Sequence, residues 1–357
     1  MRRLAGSIVS LLFCVLLACG ISAVYVWYQA WRYPPRSQEL IPSTIEADRS
    51  RGYVNRANLD LSYPSGVGQQ FYLATNEQGA RRQKPGGHVE SAAVVAVGDS
   101  QTFGSGINYA DTYPARLEAA LGEPVLNLGV SGYGTVSALR MAKEFLGLRP
   151  KFVILGYYYD HATRSVSPCY PGFMLRCLSV PHVIIDSSGP RIVEPSDNRT
   201  VLETQRAYHA YITGQGGRYS LREDFYWKAR QIWADSFQSS QFFFGRRHPD
   251  LAQQETVDEF LLSQLNDVVH RAGARLIILY IPNYFGPTVV PPPEYLVKLT
   301  KRLRIDFVDM TPDLQRALDA DPNSITVPNN GHLNALGHDL MGRKLFETIR
   351  ALPQPQN

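Results

Sequence analysis

The sequence predicts an α/β fold in which a five-stranded parallel sheet is covered by helices on both faces. Short runs of apolar, β-branched residues are typical of strands buried in such a sheet. They alternate along the chain with segments of helical spacing, which is the pattern of strand–helix–strand units. Strands are predicted over residues 92–97, 125–128, 152–155, 276–281 and 305–308, and helices over 113–121, 136–146, 256–272, 293–304 and 335–351.

Three parts are predicted along the chain. A transmembrane anchor occupies residues 1–36, and an extended lead-in rich in Pro, Gly, Ser and Asn occupies residues 37–90. The α/β domain covers residues 91–352. About 120 residues separate its third and fourth strands, which is too many for one crossover. An insertion is therefore predicted at about 162–255.

The balance of charge argues against a nucleic-acid partner. The chain has 36 Lys and Arg residues and 32 Asp and Glu residues. Four of the bases, Arg2, Arg3, Arg32 and Arg36, lie in the first 36 residues, which contain no acid, so the rest of the chain carries no net charge. A neutral body lacks the basic face that displaces counterions from phosphates.

The stretch from Leu4 to Trp31 contains no charged residue. As a helix it exceeds the ~30 Å thickness of a bilayer's hydrocarbon core, so it can span with tilt. Arg2 and Arg3 favour a cytoplasmic amino terminus. We expect a single-pass anchor with the body outside the cytoplasm. Two alternatives stay open, a cleaved signal peptide and a lipoprotein signal in which Cys19 is lipidated.

Two cysteines lie outside the anchor, Cys169 and Cys177. In an oxidising compartment they can close a small loop, so a disulfide between them is predicted, with two unpaired thiols as the alternative. The sequence has no CxxC pair and no Cys/His cluster with the spacing of a zinc site. No metal and no cofactor are predicted.

Four polar segments follow predicted strands or precede the last helix. They are GDSQTFG at 98–104, NLGVSGYGT at 127–135, GYYYDH at 156–161 and NNGHLN at 329–334. Functional groups in an open α/β sheet collect at the carboxyl ends of the strands. A serine in a glycine-bounded turn, a second glycine-rich turn and a late histidine are the groups that acyl transfer requires.

On these motifs the chain resembles the SGNH (GDSL-type) hydrolases, over roughly residues 70–350. NLGVSGYGT and the sequence GHLNALGH at 331–338 are similar to the membrane-anchored bacterial branch, as is the segment NEQGAR at 76–81. The resemblance implies a three-layer α/β/α fold. It also implies that Ser100 is the nucleophile and His332 its base, and that the backbone N–H groups of Ser100 and Gly132 form an oxyanion hole.

Two positions depart from the family pattern. The third motif should supply an Asn side chain to the oxyanion hole, and this chain has Asp160, which can donate only if burial keeps it protonated. A one-residue shift of the alignment would place His161 there instead. The position three residues before His332 usually carries an Asp that orients the histidine, and here it is Asn329. An amide can orient an imidazole but stabilises imidazolium less well than a carboxylate.

The predicted function is that of a serine esterase or acyltransferase with a Ser–His acyl-enzyme mechanism. The family resemblance implies an acyl-ester substrate, such as acetyl groups on an envelope or extracellular polysaccharide, and places the anchor in a bacterial inner membrane with the domain in the periplasm. The alternative is a catalytically degenerate domain that binds a glycan or a protein of an envelope assembly. A third hypothesis is a structural module of a membrane assembly that docks through the insertion.

Overall fold

The computed structural model describes residues 41–64, 70–170, 178–212, 250–284, 286, 288–328 and 330–353, with scattered positions in 17–24 and 220–229. The predicted anchor lies largely outside these residues, and so do Cys14, Cys19, Cys177 and Asn329. Within the described ranges, no helix combines the length and the apolar character that crossing a bilayer needs.

The chain divides into two compact units. The larger comprises Ser43–Gly172, Cys177–Leu202 and Arg247–Asn357, and the smaller comprises Met1–Pro42, Phe173–Arg176 and Glu203–Arg246. All the predicted site residues belong to the larger unit.

The described strands are listed here in chain order. They are β1 (Ile45–Asp48), β2 (Gly52–Asn55), β3 (Asp60–Pro64), β4 (Gln70–Thr75), β5 (Arg81–Arg82), β6 (Val94–Gly98), β7 (Val125–Asn127), β8 (Phe152–Tyr158), β9 (Cys169–Tyr170), β10 (Leu178–Ser179), β11 (His182–Asp186), β12 (Gly189–Val193), β13 (Arg275–Ile281) and β14 (Asp306–Asp309). The five predicted strands correspond to β6, β7, β8, β13 and β14.

The described helices agree with the five predicted ones and add others. They are α1 (Ile41–Thr44), α2 (Ser100–Phe103), α3 (Tyr113–Leu121), α4 (Thr135–Phe145), α5 (His161–Val166), α6 (Arg199–Ile212), α7 (Leu251–Arg271), α8 (Glu294–Arg302), α9 (Thr311–Ala320) and α10 (Ala335–Ala351). Two 3-10 turns lie at Tyr109–Asp111 and Leu146–Leu148.

The central sheet has eight strands in the order β14-β13-β8-β6-β7-β5-β4-β3. The first five are parallel, as predicted, but a total of five strands is wrong because β5, β4 and β3 extend the sheet in antiparallel pairing. These three strands come from the segment expected to be a lead-in. β5 has only two residues, and β3 and β4 lie among Pro, Gly, Ser and Asn residues that predicted an extended segment instead of strands.

The core forms where α3 and α10 pack on the sheet. Every residue of β6 is buried, and Tyr113, Leu117, Met341 and Leu345 belong to the same apolar cluster as Val94 and Ile277. Strands that are buried on both faces consist of nearly continuous apolar residues, which is why the five parallel strands could be predicted from the sequence. Because β6, β7 and β8 are adjacent and parallel, the first three motifs meet at one edge of the sheet.

Candidate active site

Ser100 begins α2 directly after β6. Asp99 caps this helix, since its Oδ1 accepts the Gln101 N–H at 2.9 Å. Ser100 is partly exposed to solvent, whereas Asp99 is buried. Gly156 on the neighbouring strand makes room for the turn, because a Cβ there would lie 2.1 Å from Thr102 Oγ1. A tight turn from strand to helix thus presents the predicted nucleophile at the carboxyl edge of the sheet.

The second motif packs directly on α2. Asn127 Nδ2 donates to the Thr102 carbonyl at 3.0 Å, and Asn55 Nδ2 on β2 donates to the Gly129 carbonyl at 2.8 Å. Gly132 has a φ of +82°, a left-handed conformation that favours glycine. In the described part of the chain the N–H groups of Ser100 and Gly132 have no hydrogen-bond acceptor. Both are therefore available as the predicted oxyanion donors.

His332 is oriented by Asn330. Its Nδ1 lies 3.2 Å from the Asn330 carbonyl oxygen and also contacts the Asn330 side-chain oxygen. A backbone carbonyl can only accept, so Nδ1 carries the proton and Nε2 is left as the basic nitrogen. Asn329, predicted for this orienting role, lies outside the described residues, whereas its neighbour Asn330 makes the contact.

A side chain that the sequence did not single out joins the nucleophile to the histidine. Gln101, next to Ser100, accepts the Leu333 N–H at 3.2 Å and donates to the Tyr284 hydroxyl at 2.5 Å. Tyr284 in turn donates to the Gly331 carbonyl at 2.9 Å. Both neighbours of His332 are therefore fastened to the residue that follows Ser100. Among the described residues no direct hydrogen bond joins the Ser100 hydroxyl to His332, a bond that often tightens only with substrate present.

Burial lowers the pKa of His332 to about 4. The hydrogen bond to Asn330 acts in the opposite direction, and the nearby cation of Arg164 lowers the pKa further. The imidazole is therefore neutral at physiological pH. This is the state in which Nε2 can accept a proton.

The third motif ends in an ion pair. Asp160 lies at the start of α5, and its carboxylate pairs with Arg164 Nε at 2.9 and 3.0 Å to its two oxygens. A carboxylate that accepts from a guanidinium offers no proton of its own. Donation from Asp160 to an oxyanion stays a prediction, and this pairing does not favour it.

His161 does not occupy the open edge of the site. Its side chain is 0% exposed and lies against the Tyr157 ring, with ring centroids 5.0 Å apart. Its Nε2 is 4.0 Å from Asp99 Oδ2, which is too far for a hydrogen bond. Burial, with a smaller contribution from Arg164, lowers its pKa well below the ordinary value. The alternative alignment that placed His161 in the oxyanion hole is not supported.

Other predicted features have mixed outcomes. Cys169 is disulfide-bonded, while Cys177 lies outside the described residues. In the part of the chain that the structure describes, no group of three or more His, Cys, Asp or Glu side chains could hold a metal ion.

No protein-family model matches this chain, and no curated protein matches it. Solved structures do match. LAE5, an α/β-hydrolase from the metagenome of Lake Arreo in Spain, is 15% identical with a TM-score of 0.40, over 75% of this chain and all of that one (100%). The acetylxylan esterase Axe2 from Geobacillus stearothermophilus is 12% identical with a TM-score of 0.39, over 76% and 100% of the two chains.

A lipolytic protein of the G-D-S-L family from Veillonella parvula is 12% identical with a TM-score of 0.37, over 72% of this chain and 98% of that one. The chain is thus similar to GDSL-type hydrolases, the family that its motifs resemble. The identities and TM-scores are too low to transfer an activity, so the functional conclusion depends on the site itself.

Proposed function

We propose that the protein is a serine esterase of the SGNH type. One observation carries the proposal: the segment of the nucleophile and the segment of the histidine are hydrogen-bonded to each other through Gln101, with His332 Nδ1 held by a carbonyl. The Nδ1 contact alone does not distinguish a base, because His182 Nδ1 lies at the same 3.2 Å from the Val180 carbonyl oxygen, so the link through Gln101 is the distinguishing contact. Together the two contacts support a role as base for His332, whose Nε2 is free of its proton and whose segment is hydrogen-bonded to the residue that follows Ser100.

The reaction that follows has two steps. Ser100 Oγ attacks the ester carbonyl while His332 Nε2 takes the hydroxyl proton, and the N–H groups of Ser100 and Gly132 stabilise the oxyanion. The tetrahedral intermediate expels the alcohol, which receives the proton from His332, and an acyl-serine remains. Water then attacks the acyl-serine with His332 again as base, releasing the carboxylic acid and restoring Ser100.

The finer features belong to the same proposal. The uncharged stretch 4–31 supports a membrane-anchored enzyme with its site outside the cytoplasm. The family resemblance supports an acyl group on an envelope or extracellular glycan as the substrate. If a sugar hydroxyl replaces water in the second step, the same site performs acyl transfer.

A second candidate function is favoured by the third motif. Asp160 replaces an amide donor, and loss of one oxyanion donor costs a hydrolase about 10²–10³-fold in rate. A domain with such a loss retains its pocket and can serve as a binding module for a glycan or an envelope protein.

Labelling with a fluorophosphonate probe separates the two candidates. The full-length chain is expected to be labelled, and both Ser100→Ala and His332→Ala are expected to lose the label. If a folded wild-type protein is not labelled, the esterase proposal is wrong and the binding module becomes the better account. Circular dichroism of each variant verifies folding.

A further inference from the structure

Arg164 on α5 contacts all three of the first motifs. Its Nη1 donates to Asp99 Oδ2 at 2.7 Å and to the Tyr133 carbonyl at 3.3 Å, and its Nε pairs with Asp160. Asp99 precedes the nucleophile, and Tyr133 follows the predicted oxyanion donor Gly132. One guanidinium therefore links the three segments around Ser100.

Through these contacts the Arg164 guanidinium forms an ion pair with each of two carboxylates, those of Asp99 and Asp160. Asp99 is 0% exposed and Asp160 is 27% exposed, while the Arg164 side chain is 16% exposed. Burial and the charge of Asp160 both raise the pKa of Asp99, and Arg164 lowers it. A buried charge is tolerated only when it is paired and hydrogen-bonded.

The same guanidinium is enclosed by the other groups of the site. It lies over the Tyr158 ring at 5.4 Å, and its charge acts on the imidazoles of His161 and His332. Among the described residues, the titratable groups around it include Asp99, Tyr158, Tyr159, Asp160, His161 and His332.

We propose that Arg164 is a positioning residue for catalysis. It holds the carboxylates of Asp99 and Asp160 and balances their charge beside the Ser100–His332 pair. This inference rests on the proposed esterase function and explains how a site with Asp160 in place of an amide stays compatible with an oxyanion. A negative Asp160 without its partner opposes the charge that develops on the substrate, and an unpaired Asp99 perturbs the turn of the nucleophile.

The proposal predicts how two substitutions combine. Arg164→Gln leaves both carboxylates unpaired and should lower kcat about 10²-fold with little change in KM, the size of effect seen when an oxyanion donor is lost. Asp160→Asn removes the opposing charge and supplies an amide donor, so it should raise kcat. In the double variant Arg164→Gln/Asp160→Asn the rate should recover at least about tenfold over Arg164→Gln. This gain should exceed the gain that Asp160→Asn gives in the wild type, which is the non-additive result expected of two groups in contact.

A structural role gives a different pattern. If Arg164 only fastens α5 to α2, Asp160→Asn restores none of the contacts that Arg164→Gln removes, so the double variant is no faster than Arg164→Gln. That result, or a lower kcat for Asp160→Asn alone, overturns the proposal. Because Asp160→Asn keeps Arg164 on Asp99, it tests the proposal even if Arg164→Gln fails to fold. Arg343→Gln is the matched control, since Arg343 pairs with Asp339 at the same spacing on α10 but is 72% exposed.

The failure of this inference can be told apart from failure of the esterase proposal. Hydrolysis of p-nitrophenyl acetate by the wild type, lost in Ser100→Ala, establishes the function first. Independently of activity, NMR titration of His332 in the Ser100→Ala background should show a higher imidazole pKa with Arg164→Gln, and a partial return with Asp160→Asn added. An unchanged titration means that Arg164 does not balance charge at this site, whether or not the protein is an esterase.

Discussion

Neutral hydrogen bonds join one half of the candidate site, whereas charges join the other. On the histidine side, Gln101 and Tyr284 fasten the nucleophile turn to the backbone on either side of His332. On the side of the third motif, Arg164 is shared by the carboxylates of Asp99 and Asp160. The hydrogen bonds on the histidine side fix the position of His332, whereas the ion pairs of Arg164 balance the charges of Asp99 and Asp160.

This contrast between neutral hydrogen bonds and ion pairs shows which departures from the family pattern need a compensating group. Asn329 in place of a carboxylate still leaves His332 Nδ1 an acceptor, the backbone carbonyl of Asn330, so this departure mainly weakens the stabilisation of imidazolium. A carboxylate in place of an amide in the third motif adds a charge. That change needs a partner, and the structure provides Arg164 one helical turn away.

The largest expected loss of kcat comes from removing the nucleophile or the base on the histidine side of the site. Ser100→Ala removes the attacking oxygen and His332→Ala removes the base, so each should lower kcat by at least about 10⁴-fold in ester hydrolysis. The double variant should be no worse than either single one, because the two residues act as a unit. Ser105→Ala, five residues further along, is the control. Retention of activity in Ser100→Ala would assign the reaction to another nucleophile.

A smaller loss of kcat is expected when a hydrogen bond that positions His332 is removed and both reacting groups are kept. Tyr284→Phe deletes the hydroxyl that bridges Gln101 and Gly331 but keeps the ring. A net hydrogen bond is worth about 1 kcal/mol, so we expect kcat to fall about fivefold with KM little changed. Tyr280→Phe is the matched control, since the contact that its hydroxyl makes among the described residues is a 3.4 Å contact to the Pro291 carbonyl. Equal losses in both variants would show that the bridge does not position His332.

The smallest expected effect on kcat comes from adding a negative charge next to His332, on the side of the site that is joined by neutral hydrogen bonds. Asn330→Asp places a carboxylate against Nδ1, which favours imidazolium and raises the pKa of His332 from about 4. Since only the neutral imidazole acts as base, activity at acidic pH should be lost at higher pH values than in the wild type. At neutral pH, better stabilisation of imidazolium should raise kcat a few-fold.

The profile of kcat/KM against pH measures that shift. Asn323→Asp adds the same charge at an exposed turn and should leave the profile unchanged. If Asn330→Asp leaves the acidic limb in place, Asn330 does not orient the base.

The sequence could predict the parts of this site that local pattern determines. Ser100 and Gly132 follow apolar strands in turns rich in glycine, and the five parallel strands read as continuous buried runs. The antiparallel strands β3 and β4 were missed because they lie among turn residues, and β5 because it has only two residues. Their place at the sheet edge depends on pairing, of which β5 with β7 is a single residue pair, Arg81 with Asn127.

The remaining parts depend on contacts across the chain. The link from Gln101 to Leu333 spans 232 positions, which one sequence cannot reveal. The contact between Asn330 and His332 depends on the conformation of a turn, which the residue types alone do not determine. Arg164 left one usable signal, because an Asp and an Arg four positions apart commonly form a pair when the segment is helical, although the helix His161–Val166 was not predicted.

The most direct test of the central claim is to trap the acyl-enzyme. The wild-type chain is mixed with p-nitrophenyl acetate, quenched in acid within the first turnovers, digested and analysed by mass spectrometry. The account predicts an acetyl group on the peptide that contains Ser100, and more of it in Asn330→Asp if acylation is faster. Hydrolysis of the ester with no acetyl group on that peptide, or with the group on another residue, would contradict the account.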